Sequence, residues 1–180
     1  MVLGWRILPA TATTTANGVA DQRALRSCLG TFATGVCVVT VATDGGRHGM
    51  TVNSFTSVSL SPPLVLVSIH KRARGHDLLR GRPFAINVLG AEQEALARHF
   101  AGDEHPAGVC WDDGTHAPCL AGSLATLECL PWRDYDGGDH TLFLGQVVDI
   151  RHRGGDGLAF FFGRFATIAE PVLEAEHLFG

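Results

Sequence analysis

A chain of 180 residues, 46% hydrophobic and only 18% charged, has material for one domain with a substantial core. Its formal net charge of -4 leaves no basic footprint, which argues against nucleic acid as a partner. Five cysteines without a CxxC pair, behind a start that lacks the basic and apolar regions of a secretion signal, predict a reduced, cytoplasmic protein. No run is apolar enough to span a bilayer, and so little charged surface suggests burial in an oligomer, most simply a C2 homodimer.

Residues 1–20, rich in Thr and Ala, read as a flexible tail ahead of a domain over 21–170, and 171–180 as a second tail with a possible short helix. Asp21 can cap a helix in which Leu25, Cys28, Leu29 and Phe32 form one apolar stripe. The β-branched run Val36–Thr43 predicts a strand, and Asp44-Gly45-Gly46 a hairpin turn into an antiparallel neighbour.

That neighbour begins a stretch without a charge, Gly49–Ile69. At strand period it places Met50, Val52, Val58 and Leu60 on one face and Thr51, Asn53, Ser57 and Ser59 on the other. Short hydroxyls and amides can meet carbonyls, ring nitrogens or phosphates without burying a charge, or can line an inner strand satisfied by its own backbone. Pro62-Pro63 is expected to stop pairing before a buried strand, Leu64–Ile69.

The densest positive patch follows, His70 to His76, then a helical turn over Asp77–Gly81, a strand over Phe84–Leu89 and a helix over Ala91–Ala101. Gly102–Leu120 is predicted to be a long loop. Strands are expected over Leu124–Leu130, over Thr141–Ile150 with a bulge or close approach at Gly145, and over Leu158–Ile168. About six strands on short turns favour an antiparallel barrel over a doubly wound sheet.

Several chemistries lack their signatures. There is no GxGxxG after a strand, and Val36-Cys37 stand where a P-loop needs Lys and Ser/Thr. His105, Cys110, His116 and Cys119 match no compact zinc module, and no GxSxG supports a hydrolase. Asp139-His140 is an acid–histidine pair, but neighbours on a strand are expected to point apart.

Six segments in order carry a resemblance: FATGVCVVT, GMTVNSFTSVSLSPPLVLVSI, PFAINVL, LARHFAG, LEC and GDHTLFLGQV. In these the chain resembles the short-chain flavin reductases, the reductase components of two-component flavin monooxygenases. The resemblance implies a mainly β fold, a split β-barrel of antiparallel Greek-key, FMN-binding-like type, working as a homodimer. It implies FMN or FAD held by Thr34, Gly35 and Val36, by Thr51, Val52, Asn53 and Ser54, by Ser57, Val58 and Ser59, by Lys71 and Arg72, and by Arg98 and Phe100. His140 stands at the family's GDH position on the nicotinamide side, where NADH or NADPH would give its hydride, with a separate monooxygenase as consumer of the reduced flavin. The chain departs from the family's hydroxyls after the basic pair, with Ala73 and Gly75, and from a proline, with Cys110. A non-catalytic flavin- or haem-binding barrel protein is the alternative reading.

Overall fold

The computed structural model describes residues 21–103 and 108–170; both terminal segments, and with them the expected tails and terminal helix, lie outside these, as does His105. Helix α1 (Gln22–Leu29) starts where the Asp21 carboxylate accepts from the Ala24 N–H at 3.0 Å. The helix stops at Leu29, short of the expected Phe32, and these apolar side chains find no cover among the described residues: Leu25, Leu29 and Phe32 are 45%, 63% and 74% exposed.

Strands β1 (Thr34–Gly35) and β2 (Cys37–Thr43) follow. The Asp44-Gly45 turn returns the chain into β3 (Gly46–Val52), antiparallel as expected. The uncharged stretch then departs from expectation. It is not one strand: pairing stops at Val52, Asn53–Phe55 cross over, and β4 (Thr56–Leu60) begins at the opposite edge of the sheet. Nor does Pro62-Pro63 stop pairing. Ser61-Pro62 forms the tip of a hairpin, and Pro63 opens β5 (Pro63–His70) paired with Leu60.

A 3₁₀ turn (Asp77–Leu79), β6 (Phe84–Val88), a second 3₁₀ turn (Ala91–Gln93) and helix α2 (Glu94–Ala101) come next. The expected long loop contains a small hairpin, β7 (Trp111–Asp113) with β8 (Pro118–Leu120). The strand expected to end at Leu130 runs on as β9 (Ala125–Gly137), paired along its length with β10 (His140–His152). The last expected strand is two, β11 (Gly157–Phe161) and β12 (Arg164–Ile168), because Phe162 and Gly163 take positive φ of 48° and 73° and reverse the chain.

The strands form a seven-stranded antiparallel sheet, order β3-β2-β6-β9-β10-β5-β4, beside a three-stranded sheet, β1-β11-β12, and the β7-β8 pair. The result is a mostly β, split-barrel-like arrangement with few helices. Strand β2 is buried on both faces from Cys37 to Val41 and apolar there except for Thr40, whose hydroxyl donates to the Pro118 carbonyl. Cys37, Val39 and Val41 join Val67, Phe84 and Phe143 in one cluster, while Val38 joins Val36, Leu89, Leu120 and Leu158 under α2 in another. Gly145 is a close-approach point as expected. A Cβ there would lie 2.6 Å from Phe84 Cζ, and the register slips beside it so that Trp132 is extra on β9. Buried Glu128 ties the loop between β7 and β8 to β9, accepting from the N–H groups of Thr115, His116 and Ala117 and from Arg151. Cys37, Cys119 and Cys129 are buried thiols; Cys28 and Cys110 are exposed. No described helix is long and apolar enough to cross a membrane.

Candidate functional site

The crossing Asn53–Phe55 brings the predicted residues together. On one side Thr34, Gly35, Asn53, Ser54, Phe55 and Thr56 line a cleft of about 490 Å³. On the other, Thr51, Val52, Asn53, Ser54, His70 and His140 line one of about 260 Å³. Asn53 also borders a smaller hollow with Val36, Thr51 and Val52. The exposed Asn53 side chain makes no hydrogen bond to another described residue, so its amide is free to serve all three. Thr34 Oγ1 is buried without any hydrogen-bond partner among the described residues, beside that cleft. A buried hydroxyl left unpaired costs about 1–3 kcal/mol, an expense a bound ligand would remove.

Other predicted groups are already committed. Thr51 Oγ1 donates to the Ala97 carbonyl at 2.6 Å and so pins β3 to α2. Ser54 Oγ bridges to the backbone of Ser68. Lys71 is bonded to Asp136 and, at 2.5 Å, to the Gly138 carbonyl, which makes it a strap to the β9–β10 turn rather than a free cation. That contact holds the Asp136 carboxyl below its ordinary range. Arg98 is held by Glu94 at 2.6 and 2.9 Å and lies over the Phe165 ring. Phe100 is half-buried under Gly49, where a Cβ would sit 2.5 Å from the ring, and stands edge-on to Trp111. Ser57, Val58 and Ser59 line none of the three clefts; they sit on β4, an edge strand whose outer backbone groups have no strand partner among the described residues. Arg72 and Arg74 are exposed, and neither has a carboxylate partner among the described residues.

Two groups escaped the sequence reading. The Asp139 and His140 side chains do not point apart: Nδ1 of His140 lies 2.6 Å from Asp139 Oδ1. Asp139 belongs to a turn after Gly138, φ 78°, and not to the strand, so alternation does not apply to it. A carboxylate only accepts, so Nδ1 carries a proton and donates to it, and Nε2 is left without a hydrogen-bond partner among the described residues. His140 bonding holds the Asp139 carboxyl below its usual range. The second group is His70, whose ring stands edge-on to His140 with centroids 5.0 Å apart and whose Nδ1 accepts from the Arg72 N–H. The GDH spelling marked His140, and the adjacent aspartate was the available signal for its partner. No group of three described His, Cys, Asp or Glu residues could hold a metal.

Uncharged walls, an orphaned hydroxyl, a carboxylate-contacted imidazole and, beside them in sequence, two arginines without a carboxylate partner among the described residues are the chemistry that a nucleotide-like ligand with a flat, neutral body uses. Comparison with known proteins gives the same class. Residues 29–169 match the model of the flavin reductase like domain, and the chain belongs to that family. It is 49% identical over 164 residues to the NADH-dependent FAD reductase of Streptomyces globisporus, covering 86% of this chain and 90% of the relative. It is 38% identical over 148 residues to the reductase component of a 4-nitrophenol 4-monooxygenase/4-nitrocatechol 2-monooxygenase of Rhodococcus opacus, covering 81% and 80%. A solved structure of the Streptomyces globisporus C-1027 NADH:FAD oxidoreductase in complex with NAD and FAD fragments superposes with a TM-score of 0.80 at 43% identity, over 93% of this chain and 100% of that one.

Proposed function

We propose that this chain is an NAD(P)H-dependent flavin reductase that passes reduced FMN or FAD to a separate monooxygenase. The observation that carries the reading is the uncharged double cleft around Asn53, with the unpartnered Thr34 hydroxyl on one side and the Asp139-held His140 on the other. The family match and the relatives above support it.

The residues present fit a flavin. Thr34, Asn53 and the outer backbone of Ser57, Val58 and Ser59 offer donors and acceptors to a neutral ring system, while Gly35 and Val36, whose N–H and C=O are taken by Leu158 and Leu89, supply wall. Thr51, Val52 and Ser54 shape the floor, the Thr51 and Ser54 hydroxyls being engaged, and Phe100 with Arg98 closes the α2 end. Arg72 balances phosphate, while Lys71 holds the segment that carries it. When bound, flavin accepts at N5 the hydride that the nicotinamide gives up at C4. His140 offers Nε2 to the nicotinamide carboxamide, and Asp139 keeps its tautomer and orientation.

The catalytic unit is the 21–170 domain with FMN-binding-like Greek-key topology, paired as a homodimer that covers Leu25 and Leu29 of α1 and Phe32 just beyond it. Five unpaired cysteines suit a cytoplasmic setting. The test is anaerobic mixing of the purified protein with NADH, or NADPH, and FMN or FAD. Bleaching of the visible flavin band at a rate proportional to protein is the expected result; no bleaching with any of the four pairings refutes the reading.

A further inference from the structure

His76 is a titratable side chain, 5% exposed, for which the proposed reaction has no use. Its ring is held at both nitrogens. Nδ1 lies 2.8 Å from the Asp77 carboxylate and Nε2 2.8 Å from the hydroxyl of Thr141, itself buried and next in sequence to His140. Because the carboxylate can only accept, Nδ1–H donates to Asp77, and Nε2 shares the second hydrogen bond with the Thr141 hydroxyl.

The consequence lies in the segment that His76 ends. From His70 the chain makes two successive turns, Ala73 N–H to the His70 carbonyl at 2.9 Å and His76 N–H to the Ala73 carbonyl at 3.0 Å. It is fastened to the β9–β10 hairpin at two points. At the front, Lys71 donates its N–H to the Asp139 carbonyl at 2.9 Å and its ammonium to the turn. At the back stands the His76–Thr141 bond. Gly75 is closely packed, since a Cβ there would collide with Met50 Sδ and the His48 ring. Between the two fastenings only Arg72 and Arg74 are exposed cations without a carboxylate partner among the described residues, while Ala73 lines the cleft that holds His140.

We propose that His76 is a positioning residue for nucleotide phosphate: through Thr141 it holds Arg72 and Arg74 at the mouth of the cleft. The proposal rests on the flavin reductase reading and adds to it the group that presents the cations.

FMN and riboflavin share one ring system and differ in the phosphate, which separates positioning from general loosening. In the full-length protein, His76→Leu should weaken FMN binding about tenfold, the scale of one charge-assisted contact, measured by quenching of flavin fluorescence. Riboflavin binding should stay within about twofold, and His76→Gln, whose amide reaches Thr141, should restore FMN binding to within about threefold of wild type. Thr141→Val removes the same bond with His76 in place and should repeat the FMN-selective loss, so the proposal stands or falls on it if His76→Leu does not fold. Equal weakening of both ligands would make His76 merely structural and overturn the proposal, as would unchanged FMN binding. A wild-type protein that binds FMN no tighter than riboflavin yet reduces flavin overturns the phosphate role alone. One that neither binds nor reduces flavin overturns the underlying reading as well.

Discussion

Ser54 takes both backbone groups of Ser68: its hydroxyl donates to the Ser68 carbonyl at 2.9 Å and accepts from the Ser68 N–H at 3.1 Å. The bond joins the end of β3's crossing to β5, two strands that lie far apart in the hydrogen-bonded order of the sheet. Ser54→Ala should cost about 1–2 kcal/mol, because it leaves a half-buried donor and acceptor together without a partner. The measurement is the urea midpoint, with flavin affinity falling alongside because the two clefts meet at this residue.

The Asp139–His140 contact predicts an asymmetry between the two ligands. His140→Ala should lower kcat/KM for NADH by at least about tenfold while flavin binding stays within about twofold. Asp139→Ala should show a smaller loss of the same kind, since a positioned imidazole is worth more than a free one. Steady-state kinetics at saturating flavin checks the first, and a flavin titration without nicotinamide the second. Equal activity in His140→Ala would remove the role given to it.

Glu128 predicts the acid limb of stability. Burial pushes its carboxyl up, but the N–H groups of His116, Ala117 and Thr115, with Arg151, outweigh burial and hold it below the ordinary range. A carboxyl lowered in the folded state contributes stability that is fully present above its unfolded value, about 4.3, and is lost as pH falls through the folded value. Glu128→Gln should therefore be less stable at neutral pH by roughly 2–4 kcal/mol and lose less further stability on acidification. Urea unfolding at pH 7 and at pH 4 tests both halves; parallel pH curves for the two proteins would contradict the assignment.

Gly145 predicts a steric limit. A methyl placed 2.6 Å from Phe84 Cζ and 2.7 Å from Cys129 Cβ meets two buried side chains, Phe84 fixed in the core and Cys129 on the paired strand. Gly145→Ala should cost about 1–3 kcal/mol by overpacking. Gly81→Ser, at an open turn with nothing near its Cβ position, should disturb packing far less, though its φ of 67° carries its own strain.

Local chemistry was legible wherever a residue's neighbours in space were its neighbours in sequence. The Asp21 cap and the Asp44-Gly45 hairpin were readable in that way, and Gly145 was readable because a glycine inside a strand pattern itself marks a bulge or close approach. The crossing at Asn53–Phe55 was not, because alternation of small and apolar residues continues through it while the hydrogen-bonding partner changes from β2 to β5. The reversal at Phe162-Gly163 hid inside an aromatic run that looks like continuous strand. Lys71 could not be seen as a strap, since Asp136 lies 65 residues away. The composition of the cleft was thus visible, but the division between free and committed side chains depends on tertiary contacts.

Reduced flavin released into aerated water yields hydrogen peroxide, so such a protein works beside an oxidant of its own making. Only thiolate reacts readily with peroxide. Burial pushes the thiols of Cys37 and Cys129 up to about 12 and, with Glu128 nearby, that of Cys119 to about 11. At neutral pH a thiol of pKa 12 is ionised in about one molecule in 10⁵. The core sulfur is thereby chemically silent, and of the five thiols a label added to the folded protein reaches Cys110, with Cys28 reached only where the α1 stripe is left uncovered.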